Sequence, residues 1–398
     1  MKTAILKAAL FTPLRGGRWG LPILCWGEPG VAKTALVEDL AMRWGLPCET
    51  LSPSERGEGA FGVVPVPGNP DENGNMLLTY PAPEWTKRFG EDGAGLVFVD
   101  EATSTPPALQ APLMGLILAR RIGGVVLPKR VRILSAANPV DLAAGGYELS
   151  APVANRMGHL EWSKPTVEEH VQFMLRGESL GDAEDFNDAT VEERRVLAEW
   201  PHAWAVAVGY ETAFLQRRPA CKNMCPKAGD PKASRAWASD RTWEMATRAY
   251  ASATVHGLSD TEREIFVEAF IGHEVASEFF EFISKQDLPD PALLLDGKEK
   301  FAHNPQRIDR TVAVLAACTA LVSPAKAEHR KDRGIALWKM MESICDKNKA
   351  DLDIIIPAAH GLVEAGLQVL VEGAMTLSKI RPVLKAANVK QGNGRQRL

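Results

Sequence analysis

The run Gly27-Glu28-Pro29-Gly30-Val31-Ala32-Lys33-Thr34 combines the groups that a phosphate chain needs. Its glycines let backbone N–H groups approach phosphate oxygens closely, and a helix starting at its end supplies partial positive charge. Lys33 is placed to reach the terminal phosphates, and the Thr34 hydroxyl to ligate a magnesium ion. Ala32 stands where the usual pattern has glycine; alanine has the smallest side chain after glycine, so the variant is tolerable. On this run alone, a glycine turn with an incidental Lys-Thr pair remains the plainer alternative.

Two further positions sharpen the choice. The apolar run Leu96–Val99 is followed at once by Asp100 and Glu101. That places two carboxylates at the carboxyl end of a strand, where open α/β sheets bind their ligands. Asp100 is suited to hold the metal shell and Glu101 to polarise an attacking water. By itself such a pair could be a solvated strand cap; a phosphate loop upstream favours the chemical reading. Asn138, in Ala136-Ala137-Asn138-Pro139, offers a neutral amide that can hydrogen-bond a γ-phosphate or its water, although Asn-Pro also starts turns.

These residues need a scaffold that brings strand ends together. Leu21–Trp26, Leu96–Val99 and Arg132–Ala136 read as short buried strands. Lys33–Trp44 has helical spacing, and Thr105-Pro106 is a good helix start. Strands alternating with helices predict an α/β layer with a largely parallel sheet. Phe61–Tyr80, around a Gly/Asn/Pro/Asp cluster, and Arg121–Lys129, around Gly123-Gly124, read as inserted hairpins. After Trp162 the spacing predicts helices over Val167–Leu175, Val191–Trp200, Thr242–His256, Glu262–Phe282, Ile308–Ala320, Gly334–Asp346 and Gly361–Ile380. The end of the strand pattern at Trp162 and the loop at Asp287–Asn304 suggest a division into residues 1–162, 163–286 and 287–398, with a further loop at Arg217–Trp237.

Two later motifs join the set: Leu149–Met157 (LSAPVANRM) and Ser239–Glu244 (SDRTWE). In order, the motifs GEPGVAKT, LVFVDEATSTPPALQAPLM, ILSAANP, LSAPVANRM and SDRTWE resemble those of AAA+ ATPases, specifically the MoxR-type, dynein-related branch. The resemblance spans about residues 18–285. It implies a P-loop AAA+ core with a parallel sheet flanked by helices, an all-α lid carrying sensor 2, and a C-terminal helical extension. Gly27, Glu28, Pro29, Gly30, Val31, Ala32, Lys33 and Thr34 would bind ATP, with Thr34 and Asp100 on Mg²⁺ and Glu101 as the catalytic carboxylate. Asn138 matches sensor 1, and Arg156 matches the finger that reaches a neighbouring subunit's ATP. Arg241 matches sensor 2, on the lid over the same subunit's nucleotide, with Asp240 where the family usually has proline. The inserted hairpins would face the pore or a partner; passive surface hairpins are the alternative.

The implied function is Mg²⁺-dependent ATP hydrolysis in a homo-oligomeric ring, expected to be a hexamer, that remodels or activates a partner protein. By the same resemblance the partner would carry a von Willebrand factor A domain. A nucleic-acid-dependent AAA+ ATPase is the alternative. Charge bears on it: 46 Lys and Arg against 50 Asp and Glu give a net charge of −4 over 398 residues. That balance gives no global attraction to nucleic acid or to an anionic membrane, although the acid-free, basic tail Lys379–Leu398 keeps such contacts open.

Composition narrows the class further. Hydrophobic content of 45% and charged content of 24% exclude disordered, collagenous and coiled-coil chains. The scattered Cys25, Cys48, Cys221, Cys225, Cys318 and Cys345 read as reduced thiols. With no signal peptide and no stretch of ~20 apolar residues, a cytoplasmic location is expected. Cys221, Cys225 and nearby His202 fall short of the four ligands a structural zinc wants.

Overall fold

A computed structural model describes residues 2–62, 64–90, 93–143, 146–164, 166–176, 188–227, 229–347 and 352–367. The basic tail, and the end of the helix expected over Gly361–Ile380, lie outside these residues. The chain divides into two compact units, Met1–Ala198 with Lys222–Ser277, and Glu199–Cys221 with Glu278–Leu398.

The strands of the first unit are β1 (Ile23–Trp26), β2 (Cys48–Leu51), β3 (Val66–Pro67), β4 (Leu78–Thr79), β5 (Ala94–Val99), β6 (Arg121–Ile122), β7 (Val125–Val126), β8 (Arg130–Ala137) and β9 (Gly158–Glu161). Five form one sheet in the order β2-β5-β8-β1-β9, and every pair is parallel. Parallel neighbours require crossovers. Helices α1 (Lys2–Leu10), α2 (Lys33–Arg43), α3 (Pro53–Ala60), α4 (Pro107–Met114), α5 (Ala151–Ala154) and α6 (Val167–Arg176) accompany the strands. Continuous apolar runs such as Ile23–Trp26, buried at every residue, are what a sheet covered on both faces needs. Leu24, Val97 and Ile133 pack with Leu109 and Leu113 of α4 in one core. The fold class expected from the sequence is observed.

Both inserted hairpins form. β3 pairs antiparallel with β4, and β6 with β7. The first turns at Asp71, whose carboxylate accepts from the backbone N–H groups of Asn73 and Asn75. The hairpin bases meet: a Cβ on Gly123, whose φ is +53°, would lie 2.4 Å from the Pro81 carbonyl oxygen.

The remaining helices are α7 (Ala189–Arg217), α8 (Asp240–Val255), α9 (Asp260–Ile271), α10 (His273–Ser284), α11 (Pro291–Leu295), α12 (Ile308–Val322), α13 (Arg330–Lys347) and α14 (Leu352–Glu364). The single helix expected over Glu262–Phe282 is broken at Gly272, whose φ of 80° ends α9. The helix expected to stop at Trp200 instead continues through Pro201 to Arg217. In the second unit, α12, α13 and α14 enclose Leu315, Cys318, Leu337, Met341, Ile355 and Leu362. Trp338 closes that core by donating its indole N–H to the Leu367 carbonyl at 2.9 Å.

Charged side chains lie buried inside the first unit, Arg120 and Arg132 among them. Arg132, in the middle of β8, is fully buried, and its guanidinium pairs with Glu193 and donates to the Leu10 and Arg130 carbonyls. Arg130 also pairs with Glu193, at 2.9 Å. Removing the acid from such a site strands a charge away from water. Glu193→Ala should therefore lower the free energy of unfolding by about 3–5 kcal/mol, measured by urea titration followed by tryptophan fluorescence; a change below 1 kcal/mol would contradict the buried pair.

Candidate active site

The register brings the carboxyl ends of three neighbouring strands together: Trp26 of β1 lies beside Ala137 of β8, and Val99 of β5 beside Ser135. Each runs directly into a residue that the sequence singled out. From β1 the chain enters the loop Gly27–Ala32 and then α2. Gly30 has φ +78°, and Ala32 has φ +58°. The left-handed turn at Ala32 explains why glycine suits this position, since an L side chain there costs about 1–2 kcal/mol.

Lys33 is buried, and its ammonium donates to the carbonyls of Gly27 (2.7 Å) and Glu28 (2.9 Å) and to Asn138 Oδ1 (2.9 Å). An ammonium has three donors, so all are engaged. Burial lowers the Lys33 pKa, while Asp100, Cys25 and Glu101 act in the opposite direction. Thr34 donates its hydroxyl to Asp100 Oδ2 at 2.6 Å, and Asp100 Oδ1 accepts from the Glu101 backbone N–H at 2.9 Å. Glu101 is itself left-handed, at φ +53°, so the chain turns sharply after β5. Thr103 donates to the Asn138 carbonyl at 2.8 Å and fixes the end of β8. Lys33, Thr34, Asp100, Glu101 and Asn138 thus form one cluster.

The residues fit a magnesium ion. Thr34 Oγ1 and Asp100 Oδ2 converge, and hydroxyl and carboxylate oxygens are the hard donors that Mg²⁺ takes. The loop is also sterically specified. A Cβ on Gly27 would lie 2.8 Å from the Trp162 carbonyl oxygen. Trp162 further donates its indole N–H to the Val31 carbonyl at 3.3 Å, and Lys164 pairs with Glu28 at 2.8 Å.

Arg156 and Arg241 lie in a second cluster. Gly158, two positions after Arg156, is level with Ile23 on β1. Ile23 precedes Gly27 by four residues, which is roughly 13 Å of strand. Arg156 therefore sits towards the opposite end of the sheet from its own loop. It donates to the Pro152 carbonyl, and its Nε is buried with no hydrogen-bond partner among the described residues. Arg241, at the start of α8, reaches Asn155 Oδ1 at 3.5 Å. Burial, then the Arg241 charge, lowers the Arg156 pKa. Asn155 ties the α8 start to the Arg156 segment: it accepts from Ser239 Oγ at 2.9 Å and donates to the Trp237 carbonyl at 3.1 Å.

Three residues that sequence reasoning missed connect the regions. Trp26, next to the loop, donates its indole N–H to His159 Nδ1 at 2.8 Å, the two rings lying near one plane at 18°. His159 Nε2 lies 2.9 Å from the Ala154 carbonyl oxygen. Indole N–H is only a donor, so Nδ1 accepts and Nε2 carries the proton that Ala154 receives. Arg235 covers the Trp26 ring at 3.9 Å and pairs with Glu161. No sequence signal separated Trp26 from an ordinary core tryptophan; a lone histidine on a strand gave none either.

No protein-family model matches the chain, and no curated protein matches it. Among solved structures, it is similar to a Cytophaga hutchinsonii protein described as "a putative ATPase", with 15% identity and a TM-score of 0.45, over 71% of this chain and 87% of that one. Among the described residues no helix is long and apolar enough to cross a membrane.

Burial pushes His159 down to about 4, and likewise His256 to about 4. Unfolded histidine titrates near 6.5, so on acidification the unfolded chain takes up protons first. The neutral-imidazole stability is present above about pH 6.5 and is lost as pH falls towards 4, by on the order of 3 kcal/mol per histidine. Urea titrations between pH 7.5 and 5 should show this decline, with a shallower slope for His159→Gln; identical slopes would contradict the buried, neutral ring.

Proposed function

We propose that this chain binds ATP with Mg²⁺ and hydrolyses it. The observation that carries the reading is the convergence of Lys33, Thr34, Asp100 and Asn138 at the carboxyl ends of β1, β5 and β8. In this reading the phosphates lie on the loop at the α2 N-terminus, where backbone N–H groups and the helix dipole favour anions. Lys33 exchanges its loop carbonyls for the terminal phosphates. Thr34 and Asp100 hold Mg²⁺, which neutralises charge building on the phosphates. Glu101 orients a water for attack on the γ-phosphorus, the bond from that phosphorus to the bridging oxygen breaks, and ADP leaves. Asn138 hydrogen-bonds the γ-phosphate or the attacking water.

The finer assignment is an AAA+ motor of the MoxR type that works as a ring, with Arg156 completing a neighbour's site. Its support is the ordered motif resemblance, together with the position of Arg156 away from its own loop. By the same resemblance Arg241 is assigned to sensor 2, on the lid over its own subunit's nucleotide, although its side chain lies beside Arg156. We extend the reading to a hexamer that remodels a partner protein, one bearing a von Willebrand factor A domain. The first hairpin supports a contact role, since Met76, Leu77, Leu78 and Tyr80 are all exposed.

The test separates binding from chemistry. Lys33→Ala should lose affinity for labelled ATP, because a charge-assisted contact disappears. Glu101→Gln should bind ATP as the native chain does while turnover falls by ~10²-fold or more. Native affinity in Lys33→Ala would remove the phosphate-loop assignment; undiminished turnover in Glu101→Gln would move the water-orienting role elsewhere.

A further inference from the structure

The Arg156 segment is not held by its own helix alone. α5 spans only Ala151–Ala154, too short to be stable by itself, and Arg156 follows its last residue by two positions. Besides the backbone bond from the Gly158 N–H to the Pro22 carbonyl at 2.9 Å, a side-chain strut ties the end of α5 to the sheet. Trp26 N–H donates to His159 Nδ1 at 2.8 Å, and His159 Nε2–H donates to the Ala154 carbonyl at 2.9 Å. A single imidazole tautomer spans the gap, and both of its nitrogens are used. The ring is buried, and hydrogen bonds at both nitrogens leave it little room to turn. Trp26 in turn is the last residue of the strand that carries the phosphate loop, and Gly27, its neighbour, accepts from Lys33 at 2.7 Å.

We propose that His159 is a positioning residue that anchors the Arg156 segment to the loop-bearing strand β1 and so sets where the arginine is presented to a neighbouring subunit. The inference rests on the reading of Arg156 as a residue acting in trans. It assigns His159 no contact with nucleotide. A guanidinium that stabilises transition-state charge is sensitive to placement, and displacements of about 1 Å can cost ~10²-fold in rate. A strut fixed at both ends to backbone and sheet suits that demand better than a surface loop. The strut also places the loop and the finger on one rigid body, so the two half-sites that a subunit contributes to its two neighbouring interfaces keep a fixed spacing.

The experiment uses mixed oligomers of the full chain. Arg156→Ala subunits keep an intact pocket but offer no finger; Lys33→Ala subunits have no working pocket but offer one. Mixing the two should restore turnover. The Lys33→Ala donor is then compared with donors that also carry His159→Phe, His159→Gln or Trp26→Phe. Because the donor pocket is already disabled, any change reports on the finger and not on the donor's own nucleotide site. His159→Phe and Trp26→Phe donors should restore roughly tenfold less turnover, with the KM for ATP of the acceptor pocket unchanged. His159→Gln, which keeps an acceptor and a donor, should recover most of the loss. Light scattering on each mixture establishes that the donors assemble, and the Trp26→Phe donor tests the strut should His159→Phe fail to fold. Full rescue by an assembled His159→Phe or Trp26→Phe donor would overturn the proposal. Failure of the simple Lys33→Ala donor to rescue, with mixed oligomers present, would instead remove the in-trans reading, and this inference with it.

Discussion

The Lys33 ammonium is the interaction on which the site depends. Its three donors tie together the loop carbonyls of Gly27 and Glu28 and the Asn138 side chain at the end of β8. A lysine held this far from water is stable only if its protons are all engaged, and here they are. Those same bonds tie the loop's Gly27 and Glu28 carbonyls to the start of α2. Everything around the lysine serves the arrangement. Parallel register sets β1 and β8 side by side, and Trp162 closes the one space that a side chain on Gly27 would need. The left-handed turns at Gly30 and Ala32 aim the loop's backbone.

A second constraint comes from the other end of the same strands. β9 lies beside β1 in parallel, so the residues before β9 emerge near the strand starts. Arg156 and Arg241 meet there, like charges side by side, with Asn155 and Ser239 holding the backbone around them. Neighbouring guanidiniums repel, and an anion brought to them would relieve that repulsion. In the proposed ring, Arg156 would meet a neighbour's phosphates from this edge. Trp26 and His159 bridge from the phosphate loop to that edge.

Much of the phosphate site was legible in the sequence because short-range rules govern it. A glycine loop between a buried strand and a helix, and acids directly after an apolar run, leave few other geometries open. Ala32, the one departure from the usual pattern, sits where the backbone is left-handed, at φ +58°. The hairpins were legible through their turn residues, as Asp71 shows. Less was visible where tertiary contacts decide. Gly272 breaks an apolar helical pattern that reads as continuous from Glu262 to Phe282. Arg132 looks out of place in a strand until Glu193, far along the chain, arrives to pair with it. His159 carries no local signal at all; only the pairing of β9 with β1 brings it to Trp26. Short strands such as β2 and β9, and the first helix α1, were also missed, because four to nine residues give little periodicity to read.

The central claim is that Lys33, Thr34, Asp100 and Asn138 form a nucleotide site completed by magnesium. The most direct measurement is an equilibrium titration of the native chain and of Asp100→Asn with fluorescent ATP, each with and without Mg²⁺. The account predicts that Mg²⁺ tightens ATP binding to the native chain and that Asp100→Asn loses most of that gain while remaining folded. A native affinity indifferent to Mg²⁺, or an Asp100→Asn chain with the full Mg²⁺ effect, would contradict it.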